Sequence, residues 1–336
     1  MAPNALATSG LGTVFGASGF LGRYVVRALA MRGYRLRAGS RRPDLGNFLP
    51  PMGRTGQIAP VQTNLRYPAS LAAALRDASF AVNLVGVLTE SGRQNFEAVH
   101  VFGARAAAKA AKEAGVERFV HVSAIGADPE GAASYARSKG RAEEAVREIY
   151  PDAVILRPSI LFGPEDDFFN RFAAMARIAP ALPLMGGGLT RFQPAYVGDV
   201  AEAVAKAAAG EAKAGATYEL GGPEVKSFKE ILAYICAVTG RHRVLVPVPF
   251  GLARGPAALT ETLSGLSLGL FPKMLVMTPD QLKMLESDNV VSDAAAEAGL
   301  TLEGLGIEPR AIESIVPSYL YRFRKTGQFA DDRIAS

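Results

Sequence analysis

Apolar positions recur along the chain in two alternating rhythms. Short, nearly uninterrupted apolar runs fall at 13–15, 36–38, 58–62, 81–85, 118–122 and 154–156. Between them lie stretches at 20–31, 69–76, 95–114 and 134–149, where apolar residues return every three or four positions. Leu21, Val25, Val26 and Leu29 show that second rhythm, which is the period of an amphipathic helix. Apolar strands separated by helices predict a parallel sheet covered on both faces. The expected fold class is therefore α/β, a Rossmann-type doubly wound parallel sheet with a smaller, mixed C-terminal lobe. Residues 1–162 make the sheet domain, and residues 195–222 return to it through a helix at 200–209 and a strand at 217–220. Residues 163–194, rich in Pro, Gly and Phe, and residues 223–328 make the lobe. A helix is expected at 227–238, a strand at 244–246 and a helix-like tail at 312–323. That tail ends in Arg322, Arg324 and Lys325, the charge sign that suits a helix C-terminus.

Composition narrows the class. Half of the 336 residues are apolar, enough for a sizeable core. The single Cys236 leaves no internal disulfide and fits a reducing compartment. His100, His121 and His242 are scattered without ligand spacing, so no metal is expected. The first 22 residues carry no charge, but glycines and polar residues interrupt them and no basic segment precedes them. They read neither as a signal peptide nor as a transmembrane helix. The uncharged piece at 262–272 is too short to span a bilayer. Leu263, Leu266, Leu268, Leu270 and Phe271, beside Lys273, form either a surface facing a membrane or partner, or a helix covering the second lobe. Of the net charge of +5, residues 1–60 hold eight arginines against Asp44 alone. No recognition-helix pattern accompanies these arginines, so nucleic acid is not the expected partner. The excess reads either as a solvated basic face or as charge that in part serves one phosphate-rich ligand.

The chemistry starts at Thr13-Val-Phe-Gly-Ala-Ser-Gly-Phe-Leu-Gly22. A strand ending at Gly16, Gly19 and Gly22 and running into a helix is the arrangement that seats a pyrophosphate on a helix N-terminus. The second strand ends Ser40-Arg41-Arg42, where an NAD-selective domain places a carboxylate. Serine and arginines suit a 2′-phosphate, so the expected cofactor is NADPH (NADP) rather than NAD(H). Tyr135 and Lys139 stand four apart on a predicted helix, on one face. A nearby ammonium favours the phenolate, so Lys139 is expected to lower the Tyr135 pKa for acid/base work.

These motifs together resemble the extended and atypical short-chain dehydrogenases/reductases, an epimerase/dehydratase-like group. The resembling segments are Gly16 to Gly22, Asn64-Leu65, Asn83-Leu-Val-Gly86, Tyr135 with Lys139, Leu156-Arg-Pro-Ser-Ile-Leu-Phe-Gly163 and Tyr196-Val-Gly-Asp-Val-Ala201. The resemblance implies that Gly16, Ser18, Gly19, Phe20, Leu21 and Gly22 hold the pyrophosphate, and that Asn64 and Leu65 flank the adenine. Val85, Gly86 and Val87 would lie along the cofactor. Ser123, Tyr135, Lys139, Pro158 and Ser159 would serve the nicotinamide end. Two departures stand out. Ala124 occupies the place of the serine or threonine that binds the substrate oxygen, and Ser123, one residue early, points to the opposite strand face. Loss of that donor argues against turnover and makes Tyr135 and Lys139 candidates for vestigial residues. His100 stands where many members carry an asparagine that supports the helix bearing Tyr and Lys.

One branch fits these departures. Gly163-Pro-Glu-Asp-Asp-Phe-Phe-Asn170, Pro183-Leu-Met-Gly-Gly-Gly188, Arg191-Phe-Gln-Pro194 and the tail from Pro317 to Gln328 resemble the dehydrogenase-like accessory subunit of respiratory complex I (NADH:ubiquinone oxidoreductase). That resemblance implies a tightly held NADPH with a structural role. It also implies docking on other complex I subunits where the peripheral and membrane arms join, with membrane-surface contact. The expected location is peripheral, on the cytoplasmic side of a bacterial inner membrane. The alternatives are an active NADP-dependent reductase or epimerase using Tyr135 and Lys139, and a soluble NADP(H) sensor.

Overall fold

A computed structural model describes residues 10–253, 255 and 277–325. They cluster into two compact units. The first holds the described residues up to Pro158, with Val197–Leu220 and Val291–Glu308. The second holds Ser159–Tyr196, the described part of Gly221–Val290, and the chain from Pro309.

The first unit is a Rossmann-type sheet with flanking helices. Its strands are β1 (Leu11–Phe15), β2 (Arg35–Ser40), β3 (Ile58–Gln62), β4 (Phe80–Asn83), β5 (Arg118–Val122), β6 (Val154–Pro158) and the segment Thr217–Leu220. They lie in the order Thr217–Leu220, β6, β5, β4, β1, β2, β3, each neighbour parallel to the next. The order reverses between β1 and β4, so the crevice beyond their C-terminal ends is where a ligand is received. The first three helices of the unit are α1 (Phe20–Met31), α2 (Pro68–Leu75) and α3 (Phe102–Glu113), followed by α4 (Ser134–Ile149).

Small side chains let these layers close. Ala104, Ala107, Ala108 and Ala111 of α3 pack with Phe119 of β5 and with Ala142 and Val146 of α4. One polar pair joins the layers: Arg157 on β6 forks onto Glu143 of α4 at 2.9 and 2.7 Å and reaches Glu219 at 3.6 Å. The bidentate geometry satisfies carboxylate and guanidinium together, as burial demands.

Two features depart from the sequence pattern. The predicted helix at 95–114 begins as a π turn, Glu97–Val101, before continuing as α3. Residues 291–308, expected in the second lobe, belong to the first unit, where Glu219 N–H donates to Leu300 O and Ser292 N–H to the Glu219 carboxylate.

The second unit is organised by aromatic packing. Phe162, Phe169, Phe172, Phe192 and Phe228 are buried together with Ile231, Leu232 and Ile235 of the helix Phe228–Val238. The region 163–194, which sequence left without regular elements, contains the helix Phe168–Ile178 and the strand Ala181–Met185. That strand pairs in parallel with Val244–Val248. The tail is not one helix; Pro317 divides it into the turns Ile312–Ile315 and Pro317–Leu320. Tyr319 donates to Asp166 at 2.5 Å, and Asp166 also accepts from the Gly163 and Asn170 amides. The apolar segment with Leu263, Leu266, Leu268, Leu270, Phe271 and Lys273 lies outside the described residues. Among those described, no helix is long and apolar enough to cross a membrane.

Candidate functional site

The glycine turn after β1 is built by three distinct constraints. Gly16 has φ +81°, in the left-handed region that glycine tolerates. Its N–H and that of Ala17 donate to Gly39 O at 3.0 and 3.1 Å, tying the turn to β2. A Cβ at Gly22 would lie 2.2 Å from Gly16 O, so the start of α1 can sit this close to the turn only with glycine there. Gly19 is the N-cap and supplies no side-chain cap. The first amides of α1, at Phe20, Leu21 and Gly22, therefore have no side-chain cap and stand at the positive end of the helix dipole, although these three residues do not line the adjoining cavity.

A cavity of about 270 Å³ opens over this turn. Gly16, Ser18 and Gly19 form one wall, and Ser40 and Arg41 at the end of β2 form the next. Thr63, Asn64, Leu65 and Arg66 follow β3, and Leu84, Val85, Gly86 and Val87 follow β4. Gln94, Ala98 and Val99 close it. Arg42 is not on the wall; it is exposed and forms a 2.8 Å ion pair with Asp44, which leaves Arg41 as the arginine that β2 presents to the cavity.

The Tyr135–Lys139 end is closed. Tyr135, Lys139 and Ser123 are all buried, and none lines the cavity. The Phe96 and His100 rings stand edge-on to the Tyr135 ring at 5.7 and 5.5 Å. Lys139 Nζ lies 5.9 Å from the centre of that ring and donates to Val122 O at 3.3 Å. The expected lowering of the tyrosine pKa does not occur: burial pushes Tyr135 up to about 12. Burial likewise drags Lys139 down to about 8, against the pull of Glu143. Desolvation outweighs the mutual effect of the pair because both groups sit in the dry interior.

His100 acts as the bracket of this end. Its Nε2 accepts the Val87 N–H at 3.0 Å, which places the proton on Nδ1, facing Ser138 Oγ at 2.8 Å. Ser138 in turn donates to Tyr135 O at 2.8 Å. One neutral imidazole thus joins the cavity wall after β4 to the helix carrying Tyr135 and Lys139. Burial first, then the Lys139 charge, holds its pKa down at about 3. His121 on β5 takes the Asn83 amide on Nδ1 at 3.2 Å, so its proton is on Nε2, which has no partner among the described residues. Ser123 Oγ, two residues along on the same strand face, also has none.

Most of the sequence-predicted residues before residue 90 meet at one place: Gly16, Ser18, Gly19, Ser40, Arg41, Asn64, Leu65, Val85, Gly86 and Val87 share the cavity wall. Pro158 ends β6, buried in the first unit. Ser159 begins the second unit, and its hydroxyl is spent on Asn289, with Oγ 2.9 Å from its O and 2.7 Å from its Oδ1. Sequence reasoning missed Thr63, Arg66, Leu84, Gln94, Ala98 and Val99. Thr63, Arg66 and Leu84 adjoin predicted positions and could have been found by extending each strand end by one residue. Gln94, Ala98 and Val99 carry no local signal. The residues present fit a dinucleotide: the left-handed Gly16, the Gly19 N-cap without a side chain, Ser40 and Arg41 stand together on the cavity wall.

Comparison with known proteins agrees with this geometry. Residues 16–174 match the family model described as NAD(P)H-binding. Among solved structures, the chain resembles an NADPH-dependent quinone oxidoreductase from Escherichia coli complexed with NADPH, with a TM-score of 0.68 at 20% identity. The match covers 92% of this chain and 99% of that one, and shows the shared fold. The mitochondrial NADH dehydrogenase (ubiquinone) 1 alpha subcomplex subunit 9 of Arabidopsis thaliana is 34% identical over 94% of this chain and 78% of its own length. Its Rattus norvegicus counterpart is 36% identical over 90% of this chain and 77% of its own. The chain belongs to the family of NADH dehydrogenase (ubiquinone) 1 alpha subcomplex subunit 9.

Proposed function

We propose that this protein is an accessory subunit of respiratory complex I that holds NADPH without turning it over. The observation that carries this reading is the identity to subunit 9 relatives along nine-tenths of the chain, second unit included. In this reading the α1 amides take the pyrophosphate, Asn64 and Leu65 flank the adenine, and Arg41 with Ser40 takes the 2′-phosphate. Val85, Gly86 and Val87 run along the cofactor toward Lys139, whose Nζ would lie 3.4 Å from a Cβ at Gly86. The bound nucleotide supplies a hydride-bearing ring, and the chain's own groups are poorly arranged to use it. Burial raises Tyr135 to about 12, which makes its phenol a weaker proton donor, and Ala124 offers no donor to a substrate oxygen.

The proposed seat is peripheral, at the junction of the two arms, on the cytoplasmic side of a bacterial inner membrane. Affinity-tagged protein should bring other complex I subunits out of solubilised native membranes, and its acid or alkali extract should contain NADP(H) rather than NAD(H). Recovery of the tagged chain without those subunits would refute the assignment.

A further inference from the structure

We propose that the cavity beside the C-terminal end of the helix Phe228–Val238 binds an amphiphile made of one oxyanion head and an alkyl chain. Its lining belongs entirely to the second unit, so this site stands or falls apart from nucleotide binding.

The stretch Thr239-Gly-Arg-His-Arg-Val-Leu245 sets three basic residues between a helix and a strand. Gly240, with φ +60°, turns the chain out of the helix, and Val244–Val248 carries it on as a strand. A cavity of about 470 Å³ lies at this turn, within the range of sites that take small molecules. Ala233, Cys236 and Ala237 of the helix and Val244 and Leu245 of the strand give it an apolar lining. Arg241, His242 and Arg243 line it too, and no acidic residue does.

The two arginines are not needed to finish this helix. The carbonyls of Ile235, Cys236 and Ala237 accept from the Thr239, Arg241 and Gly240 amides, and Arg324 Nε donates to Val238 O. Each of the two guanidiniums instead spends one N–H on a carbonyl elsewhere. Arg241 donates to Phe323 O at 3.1 Å, and Arg243 to Ala176 O at 2.7 Å. Those bonds hold the planar forks and leave other donors over. Arg241 Nε is buried without a partner among the described residues, a costly state for a charged donor. Burial pushes the Cys236 thiol up while the Arg243 charge pulls it down, so the positive charge reaches the apolar lining.

This combination selects the ligand. A guanidinium matches the paired oxygens of a carboxylate or phosphate. Ala233, Ala237, Val244 and Leu245 offer aliphatic surface, and no aromatic residue lines the cavity for a ring to stack on. An oxyanion alone would leave the apolar lining wet, and a neutral chain would leave the arginines unpaired.

Cys236 is the only cysteine and lines the cavity, so it reports occupancy directly. Full-length protein is treated with N-ethylmaleimide, with and without decyl phosphate below its micellar concentration, and labelling is followed by mass spectrometry. At ten times the dissociation constant about one-tenth of the sites are free, so labelling should slow about tenfold. Decanol, which lacks the charge, and inorganic phosphate, which lacks the chain, should leave the rate within about twofold of the free protein. Arg243→Gln should raise the decyl phosphate concentration for half protection about tenfold or more. Ala237→Phe, at an exposed helix position, keeps both arginines and fills the cavity; it should abolish decyl phosphate binding by calorimetry, and it carries the test if Arg243→Gln fails to fold. No protection by decyl phosphate, or equal protection by decanol or inorganic phosphate, would overturn the proposal. So would wild-type affinity in folded Arg243→Gln or Ala237→Phe.

Discussion

Replacing Lys139 with methionine is expected to stabilise the protein at neutral pH and to lose that advantage as the pH rises. Lys139 is 5% exposed, and burial drags its pKa from 10.5 to about 8. The ionisable groups around it are Glu143 on its own helix, His100 on the π turn, His121 on β5 and Tyr135. Both histidines are neutral above pH 7, and Glu143 is held by Arg157. Because the folded pKa lies below the unfolded one, the unfolded chain binds more protons between pH 8 and 10.5. Stability from this group therefore rises with pH across that window, and its cost is fully present below pH 8. At 1.36 kcal/mol per unit the cost at pH 7 is about 3 kcal/mol. Methionine removes the charge and forfeits the hydrogen bond to Val122 O, worth about 1 kcal/mol. The net expectation is a variant about 2 kcal/mol more stable at pH 7, with the difference falling through zero before about pH 10. Urea unfolding of both proteins at several pH values reads this directly. The subtraction cancels titrations they share, including that of Tyr135, whose raised pKa acts in the opposite direction above pH 10. A variant less stable than wild type at pH 7, or a difference that does not move with pH, would show that the ammonium is better solvated than its burial implies.

Three further outcomes follow from the same geometry. His100 and His121, both held near pKa 3 against 6.5 in the unfolded chain, make stability complete above pH 6.5 and lost as pH falls toward 3; acid titration by circular dichroism should show it, with a lower midpoint in His100→Asn. Gly22→Ala would put a Cβ 2.2 Å from Gly16 O and force the helix start away, costing about 1–3 kcal/mol of stability and about tenfold or more in NADPH affinity by fluorescence titration. Arg41→Ala should weaken NADPH by about 10-fold to 100-fold while leaving NADH nearly unchanged, because only the 2′-phosphate loses a charge-assisted partner. Arg42→Ala should do less, since its guanidinium already holds Asp44.

The pattern of apolar positions locates all seven strands of the main sheet and the helices between them, because burial on both faces imposes a continuous apolar run and one-sided burial imposes a 3.6-residue period. The helix Phe168–Ile178 escaped that reading because its phenylalanines stand in a Pro- and Gly-rich neighbourhood, and its packing partners Phe192 and Phe228 are remote in sequence. The π turn escaped it too: one extra residue shifts the period by less than the scatter of an amphipathic pattern.

What the sequence by itself determines is the glycine-turn half of the candidate site. Gly16, Gly19, Gly22 and Arg41 are legible because their roles depend on local backbone freedom, charge and position at a strand end. The Tyr135–Lys139 half is decided only by tertiary structure. Tyr135 and Lys139 stand on one helical face as their spacing requires, yet their protonation is set by what buries them. That burial comes from Phe96 and His100, brought against α4 across 38 residues between His100 and Ser138. Spacing brings two groups into reach, but the dielectric around them is a property of the packed interior, and there desolvation overrides the partner that the sequence placed four residues away.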